Sequence, residues 1–480
     1  MSVLVVDVGT SGLRASVVTA EGKVLQTYYR ELLPESPAQG FVQFDAAAMG
    51  AAALAVASEA IEAHGAMEAV GIANQRASTI LWDRATGEPV GPGIGWQDLR
   101  TVGMCLALRS EGIRLAPNQS ATKLAALLDM ADPDRSRDLC FGTVDSYVAF
   151  VLSSGTLHVT DHTNAAVTGL VTRDATRWDL ELCERLRIPA SVLPEIVLSS
   201  GELGPAPALH GAPTIAGIAG DQQASLVGQA CLAPGGAKAT FGTGGMLDCS
   251  VGPLRPLFER RGHSGTFPIV AWSDSEGIHY GLEAVMLSAG TCVEWLRDDL
   301  GVVRSAAETE ALAASVDDSA GVVFVPALLG LGTPVWDFGA RGALLGITRG
   351  TTAAHVVRAV LEGIAHRGAD LLEAVEADGS LSVEVLKVDG GMSSNRVFSQ
   401  ALADSIGKPV AVAAVTEATT LGAAFLAGTA KGLWSSLAEA AGLAKPRAVV
   451  APRRRVDRAR WLEARSRAER WVQELSALDF

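Results

Sequence analysis

The sequence predicts an α/β protein built from two related lobes, and three observations carry that expectation. The chain opens with an uninterrupted apolar run, Val3-Leu4-Val5-Val6, that ends in Asp7-Val8-Gly9-Thr10-Ser11-Gly12. The same pattern of strand, Gly-Thr turn and strand returns about half a chain length later, in Ala239-Thr240-Phe241-Gly242-Thr243-Gly244-Gly245-Met246-Leu247. At 480 residues, 48% of them apolar, there is enough material for two large cores.

The elements follow in order. Ala15-Ser16-Val17-Val18 and Val24 to Tyr29, separated by Ala20-Glu21-Gly22-Lys23, extend the first strand into an antiparallel meander. A helix is expected between Asp45 and His64, with Asp45 as N-cap. Strands return at Val70 to Ala73 and Thr79 to Trp82. Thr214 to Gly220 reads as strand and turn, and puts Asp221 at the N-cap of a further helix. The lobe boundary falls near residues 228 to 236, giving lobes of residues 1–230 and 231–480. In the second half, Val357, Val360, Leu361, Ile364, Leu371, Leu372 and Val375 form a helical stripe. Thr351 or Thr352 caps it, and Gly379 stops it. Val383 to Val388 is strand-like and leads into Gly390-Gly391-Met392, where a helix begins.

Composition excludes several classes. The net charge of −14 argues against nucleic-acid or anionic-membrane partners. The basic stretch Arg453 to Arg470 is interleaved with acids and reads as a solvated helix face. The most membrane-like run, Ala46 to Ala57, is short of the roughly 18 residues a span needs. Asp7 interrupts the opening apolar run, against a signal peptide. Six scattered cysteines without C-x-x-C spacing read as reduced core thiols in a cytoplasmic protein, not a disulfide frame or zinc site.

The chemistry concentrates at three turns. Gly9-Thr10-Ser11-Gly12 offers backbone N–H groups and hydroxyls to a phosphate, Arg14 adds a charged fork, and Asp7 can hold Mg2+ through water. Read alone, it is equally an ordinary hairpin. Gly242-Thr243-Gly244 is its counterpart, so the two could clamp a polyphosphate, and Gly390-Gly391-Met392 leaves room for a base beside a helix N-terminus. No P-loop or Rossmann fingerprint occurs. Asp221 is either a helix cap or a carboxylate placed to accept a hydroxyl proton.

These strings resemble the FGGY carbohydrate kinases, and within them most resemble the glycerol kinases. The resemblance spans the chain. It is carried by Asp7 to Arg14, Gly71-Ile72-Ala73-Asn74-Gln75-Arg76, Phe141 to Asp145, Val159 to Asn164, Gly217 to Ala224, Gly330 to Asp337, and the stretch from Gly342 to Glu362. It implies two actin-like (ribonuclease-H-like) lobes with an interdomain catalytic cleft for ATP and a small polyol or sugar. Asp221 would be the general base, and Asp7 with Asp221 would place Mg2+. Thr10, Ser11 and Arg14 would meet the terminal phosphates, Arg14 with a catalytic share. Gly242, Thr243, Gly290, Gly391, Met392 and Asn395 would line the nucleotide. Arg76, Trp96, Asp221 and Gln222 would face the polyol. The resemblance also implies a homodimer or homotetramer.

Three positions depart from the glycerol-kinase pattern. Ala77 stands where a Glu holds glycerol hydroxyls, Asn118 where a Tyr is usual, and Met246 where an aromatic is usual. Together they remove about eleven side-chain heavy atoms, which suits a polyol of four to six carbons, unless the pocket repacks around glycerol. A pseudokinase or an actin-like ATPase scaffold is the alternative. Arg76, Trp96 and Asp221-Gln222 argue against the scaffold, which has no use for a polyol site.

Overall fold

The structure is a computed structural model that describes residues 1–414 and 418–478. Two mixed sheets organise it. The first contains β1 (Ser2–Val8), β2 (Gly12–Thr19), β3 (Val24–Glu31), β4 (Ala69–Asn74), β5 (Ser200–Pro205) and β6 (Thr214–Gly220), in the order β5-β6-β4-β1-β2-β3. The opening meander is antiparallel as expected, and β4 and β6 join it in parallel. The second sheet contains β7 (Ala237–Phe241), β8 (Gly245–Gly252), β9 (Phe267–Asp274), β10 (Gly277–Met286), β11 (Leu386–Asp389), β12 (Val410–Ala413) and β13 (Pro446–Val450). Its order is β9-β10-β8-β7-β11-β12-β13.

The two orders superimpose. β7, β8 and β10 repeat the β1–β3 meander, β11 and β12 repeat parallel β4 and β6, and β13, like β5, closes its edge antiparallel. Only β9 is extra. The recurrence of one Gly-Thr turn therefore reports a repeated lobe.

The uninterrupted run in β1 has a simple cause. Side chains alternate along a strand, and both faces of this one are buried. Leu4, Val6 and Val8 pack with α1 (Ala46–His64). Val3 and Val5 pack on the other face with Leu421 and Phe425 of α5 (Ala418–Ala430). Asp45 caps α1 as expected, accepting from the Ala48 N–H at 2.9 Å. At 19 residues α1 is long and apolar enough to cross a membrane, unlike the shorter run read from sequence. Its Met49, Ala53, Val56, Ala57 and Ile61 are instead committed to the core.

α5 belongs to the second half of the chain yet covers the first sheet and lies along α2 (Asp221–Gly228). The two helices touch backbone to backbone. A Cβ added to Gly422 would lie 1.7 Å from the Ala224 carbonyl oxygen, so only glycine fits there.

α3 (Ala353–Gly379) buries the whole expected stripe, and Thr352 with His355 forms a capping box at its start. The basic C-terminal stretch is solvated in part: Arg453, Arg454, Arg455, Arg460, Arg467 and Arg470 are exposed, while Arg458 and Arg465 turn inward. α6 (Ala459–Ala468) buries Trp461 against α3, and Arg458 and Arg465 converge with Arg367 on buried Asp370. Charge alternation looks alike in both cases; what differs is that Asp370 lies in the core with these arginines as its counter-charges. All six cysteines are buried and unpaired.

Candidate active site between the lobes

The site is built around the start of α2, where Asp221 meets Arg76 of the first lobe and Gln222 meets Lys238 of the second. On the first lobe, Asp7 is buried near the end of β1 and pairs across the hairpin with Arg14, whose Nε lies 3.2 Å from Oδ2. The Gly9 N–H donates to the Gly12 carbonyl at 2.9 Å and closes the turn. Thr10 Oγ1 accepts from Trp96 Nε1 at 3.2 Å, which joins the expected phosphate turn to the expected acceptor wall. Ser11 sits at the tip of this turn, its carbonyl accepting from the Leu32 N–H.

Asp221 is not the N-cap. Gly220 takes that place, and Asp221 is the first residue of α2. Its Oδ1 accepts from the adjacent Gln222 N–H at 2.7 Å instead of reaching into the first turn. Arg76, just past β4, brings its Nε to 3.8 Å from Asp221 Oδ1. Burial pushes the Asp221 carboxyl above the usual range, against the opposing pull of Arg76. A raised carboxyl is better matched to taking a proton near neutral pH.

Arg76 also reaches the second lobe. Its Nη2 lies 2.6 Å from Glu283 on β10 and 3.7 Å from the Met246 sulfur. Burial opposes the guanidinium charge, but Glu283, Asp221 and Asp248 together hold it above its ordinary value. Gln222 Oε1 accepts from Lys238 Nζ at 2.5 Å, and Lys238 in turn lies 2.8 Å from Asp248, both fully buried.

The remaining acceptor residues are tied together by Lys123. Its fully buried Nζ donates to the carbonyls of Gly95 (2.8 Å), Trp96 (3.1 Å) and Asn118 (3.5 Å). Burial pulls this ammonium down to about 7. Asn118 is itself exposed and meets the group only through that carbonyl. Ala77 is buried with φ of 60°, and its carbonyl accepts from Ser120 Oγ at 3.0 Å.

Six expected nucleotide residues share one wall. Gly242, Thr243, Gly290, Gly391, Met392 and Asn395 line a cavity of about 660 Å³ in the second lobe. The Gly242 carbonyl accepts from the Gly290 N–H at 2.8 Å, and that of Thr243 from the Ala289 N–H at 2.9 Å. A Cβ on Gly290 would come 2.6 Å from the Gly242 carbonyl oxygen, so glycine there keeps the contact close. A short 3-10 turn, Gly391–Ser394, precedes α4 (Arg396–Ile406), so the helix expected at Gly391 starts later, with Asn395 as its N-cap. The exposed Thr243 hydroxyl leads to a prediction. Thr243→Val should weaken ATP binding by about 1–2 kcal/mol without reordering acceptor preference. Titration calorimetry with a non-hydrolysable ATP analogue measures the first, and a polyol panel the second.

Comparison with known proteins decides the family. The N-terminal domain of the FGGY family of carbohydrate kinases matches residues 2–228, and its C-terminal domain residues 237–431. The chain belongs to the FGGY family of carbohydrate kinases. It is 43% identical to a glycerol kinase of Trichlorobacter lovleyi, over 98% of this chain and 99% of the relative. A glycerol kinase of Deinococcus radiodurans is 41% identical over 99% of each chain. The crystal structure of a Plasmodium falciparum glycerol kinase with ADP superimposes with a TM-score of 0.89, at 27% identity, over 100% of this chain and 99% of the other. This FGGY kinase thus transfers a phosphoryl group from ATP to a hydroxyl of a small polyol or sugar, on the two-lobed actin-like fold its sequence implied.

Sequence reasoning missed Lys123, Lys238, Asp248 and Glu283. Each is a charged residue inside an otherwise apolar element, such as Ala121-Thr122-Lys123-Leu124-Ala125 or Gly281-Leu282-Glu283-Ala284. A charge seldom lies buried without a partner, and that was the available signal. The pairing partners lie in other elements, so the sequence could not supply them.

Proposed function

We propose that Asp221 is the general base of this kinase and that its preferred acceptor is an uncharged polyol of four to six carbons. The observation that carries the reading is the meeting at α2. Asp221 stands beside Arg76, whose neighbour Gln75 donates to the Gly9 carbonyl of the first Gly-Thr turn at 3.2 Å, and Gln222 bonds Lys238, which reaches Thr240 on the strand entering the second at 3.2 Å. Asp221 takes the proton of the attacking hydroxyl. Arg76, Gln222 and Trp96 orient the polyol, Thr10, Ser11 and Arg14 hold the terminal phosphate from the first lobe, and Thr243 meets the nucleotide from the second. Phosphoryl transfer has a loose transition state, so alignment and charge neutralisation supply most of the catalysis. Lobes 1–230 and 231–480 divide this work, the first carrying the acceptor and the second the nucleotide.

Mg2+ fits this donor set in one form. Among the described residues no cluster of three or more His, Cys, Asp or Glu stands ready as a metal cage. Mg2+ commonly keeps its waters and uses one or two carboxylates plus phosphate, which Asp7 and Asp221 can supply. Bound there, it would neutralise charge on the phosphates.

The acceptor size rests on Ala77 and Met246, whose side chains leave the pocket roomier and remove a hydroxyl acceptor; Asn118, expected there too, is exposed and adds only its carbonyl's contact with Lys123. Full-length similarity to relatives named glycerol kinase favours the second reading, glycerol itself. ADP release with a panel from glycerol to hexitols separates the two, and the wild type should favour a four- to six-carbon polyol. Ala77→Glu should return preference toward glycerol by roughly 1.5–3 kcal/mol, the worth of a charged hydrogen bond. Ala77 already carries the cost of its left-handed backbone, about 1–2 kcal/mol for a residue with a Cβ, so Ala77→Glu adds no new backbone strain, and the shift is read from ratios of kcat/KM. Efficient glycerol turnover by the wild type, unimproved by Ala77→Glu, would establish glycerol as the substrate. ADP release independent of every polyol would instead favour a scaffold ATPase.

A further inference from the structure

We propose that Glu283 sets the charge class of the acceptor: by neutralising Arg76 from the opposite lobe, it admits uncharged polyols and turns away sugar acids. The inference rests on the polyol reading of the cleft and adds to it a specificity determinant on the second lobe.

A buried arginine is the natural partner of a carboxylate, because its planar fork matches two oxygens at once. Left unpaired in the acceptor site, Arg76 would select a sugar acid. It is not left unpaired. Nη2 is taken by Glu283 at 2.6 Å, and Nε faces Asp221 at 3.8 Å. Nη1 is buried without a hydrogen-bond partner. Both two-point faces of a guanidinium use Nη2, and here Nη2 is committed to Glu283 and the Met246 sulfur, so the paired contact a carboxylate prefers is blocked.

The surroundings extend the argument. Lys238, Asp248 and Glu283 occupy paired positions on adjacent strands β7, β8 and β10, so they form one row across the second sheet. The row faces Arg76 and Gln222. Lys238, the other cation of the group, is taken by Asp248 at 2.8 Å and by Gln222 at 2.5 Å. Two cations therefore meet three carboxylates: Asp221, Asp248 and Glu283. An acceptor bearing its own carboxylate would add a fourth anion to a water-poor group that is already net negative, and like charges in such a site repel strongly. An uncharged polyol meets no such penalty, and its hydroxyls can donate to the same carboxylates.

The test compares a neutral polyol with the aldonic acid of equal carbon number, erythritol against erythronate and glycerol against glycerate. Steady-state ADP release gives kcat/KM for each. Wild type should use the polyol and reject the acid. Glu283→Gln keeps the size but removes the charge, freeing Arg76. It should raise the acid-to-polyol ratio by roughly ten- to a hundredfold, the scale of one charged hydrogen bond. Glu283→Asp keeps the charge and should leave the ratio within a few fold of wild type. A purely structural Glu283 would lower both activities together and leave the ratio fixed, and that result overturns the inference. Should Glu283→Gln not fold, Asp248→Asn removes a charge from the same row without touching the Arg76 contact. It should move the ratio the same way by a few fold, and an unmoved ratio again counts against the inference. Turnover of polyols with a fixed ratio removes only the inference. If wild type phosphorylates no polyol at all, the polyol reading falls and takes the inference with it.

Discussion

Asp221→Asn should lower kcat by roughly 10²–10⁴, the usual contribution of a general base, while ATP affinity stays within about twofold of wild type. The two effects separate because of where α2 lies. Asp221 begins the helix beside Arg76, whereas the cavity proposed for the nucleotide is lined by Gly242, Thr243, Gly290 and Gly391. Asn keeps the size and can still accept from the Gln222 N–H, so the start of the helix survives. The pH profile gives a second check. Burial raises the Asp221 carboxyl above its ordinary range, and the ionised form is the one that takes the proton. Activity should therefore fall as pH drops through that raised value, and the acid limb of kcat/KM should vanish in the variant. Near wild-type kcat in Asp221→Asn would remove this residue from proton transfer.

Asp370→Asn should destabilise the protein by about 3–5 kcal/mol, the cost of leaving buried cations without their counter-charge. Arg367 Nη1 lies 2.6 Å from one carboxylate oxygen and Arg465 Nη1 3.1 Å from it. The other oxygen takes Arg458 and accepts from Trp461 Nε1 at 3.1 Å. Burial alone would raise the Asp370 carboxyl. The three arginines outweigh it and hold the group below its ordinary value. The sign follows from that direction. The stabilisation is full above the ordinary carboxylate range and is lost as pH falls through the depressed folded value. Urea titration at neutral pH measures the first effect, and the gap between wild type and Asp370→Asn should narrow in acid. Trp461 stacks on His366 with ring centroids 5.1 Å apart, a contact that release of α6 would break. An unchanged unfolding midpoint would show that the arginines find other partners.

Much of the architecture was legible because it rests on local pattern. The β1–β3 meander, the Asp45 cap, the α3 stripe and the two Gly-Thr turns each follow from residues near one another in the chain. The six residues expected at the nucleotide were named by motif resemblance, and all six line one cavity. What escaped has a common cause. Glu283 meets Arg76 across the lobes, Lys123 holds three carbonyls from other segments, and Asp370 gathers arginines from α3 and from residues 458 to 465. A charge inside an apolar run signals burial, but the sequence does not say which distant residue it meets. Asp221 shows the finer limit. Sequence spacing placed it at a helix start, and one residue of displacement changed it from the cap to the first helical residue.

The crossing of α5 sets an order of events during synthesis. The first sheet is complete once β6 leaves the ribosome, but one of its faces waits for Leu421, Phe425, Leu426 and Trp434 to cover Val3, Val5, Ala69 and Ala216. At ordinary elongation rates the chain between Gly228 and Ala418 takes on the order of 10–40 seconds to appear. For that interval the nascent protein carries a finished sheet with an open apolar face, and a trigger-factor-like holdase has a surface of defined composition to grip. A ribosome stalled anywhere in that stretch would release an aggregation-prone half rather than a functional lobe.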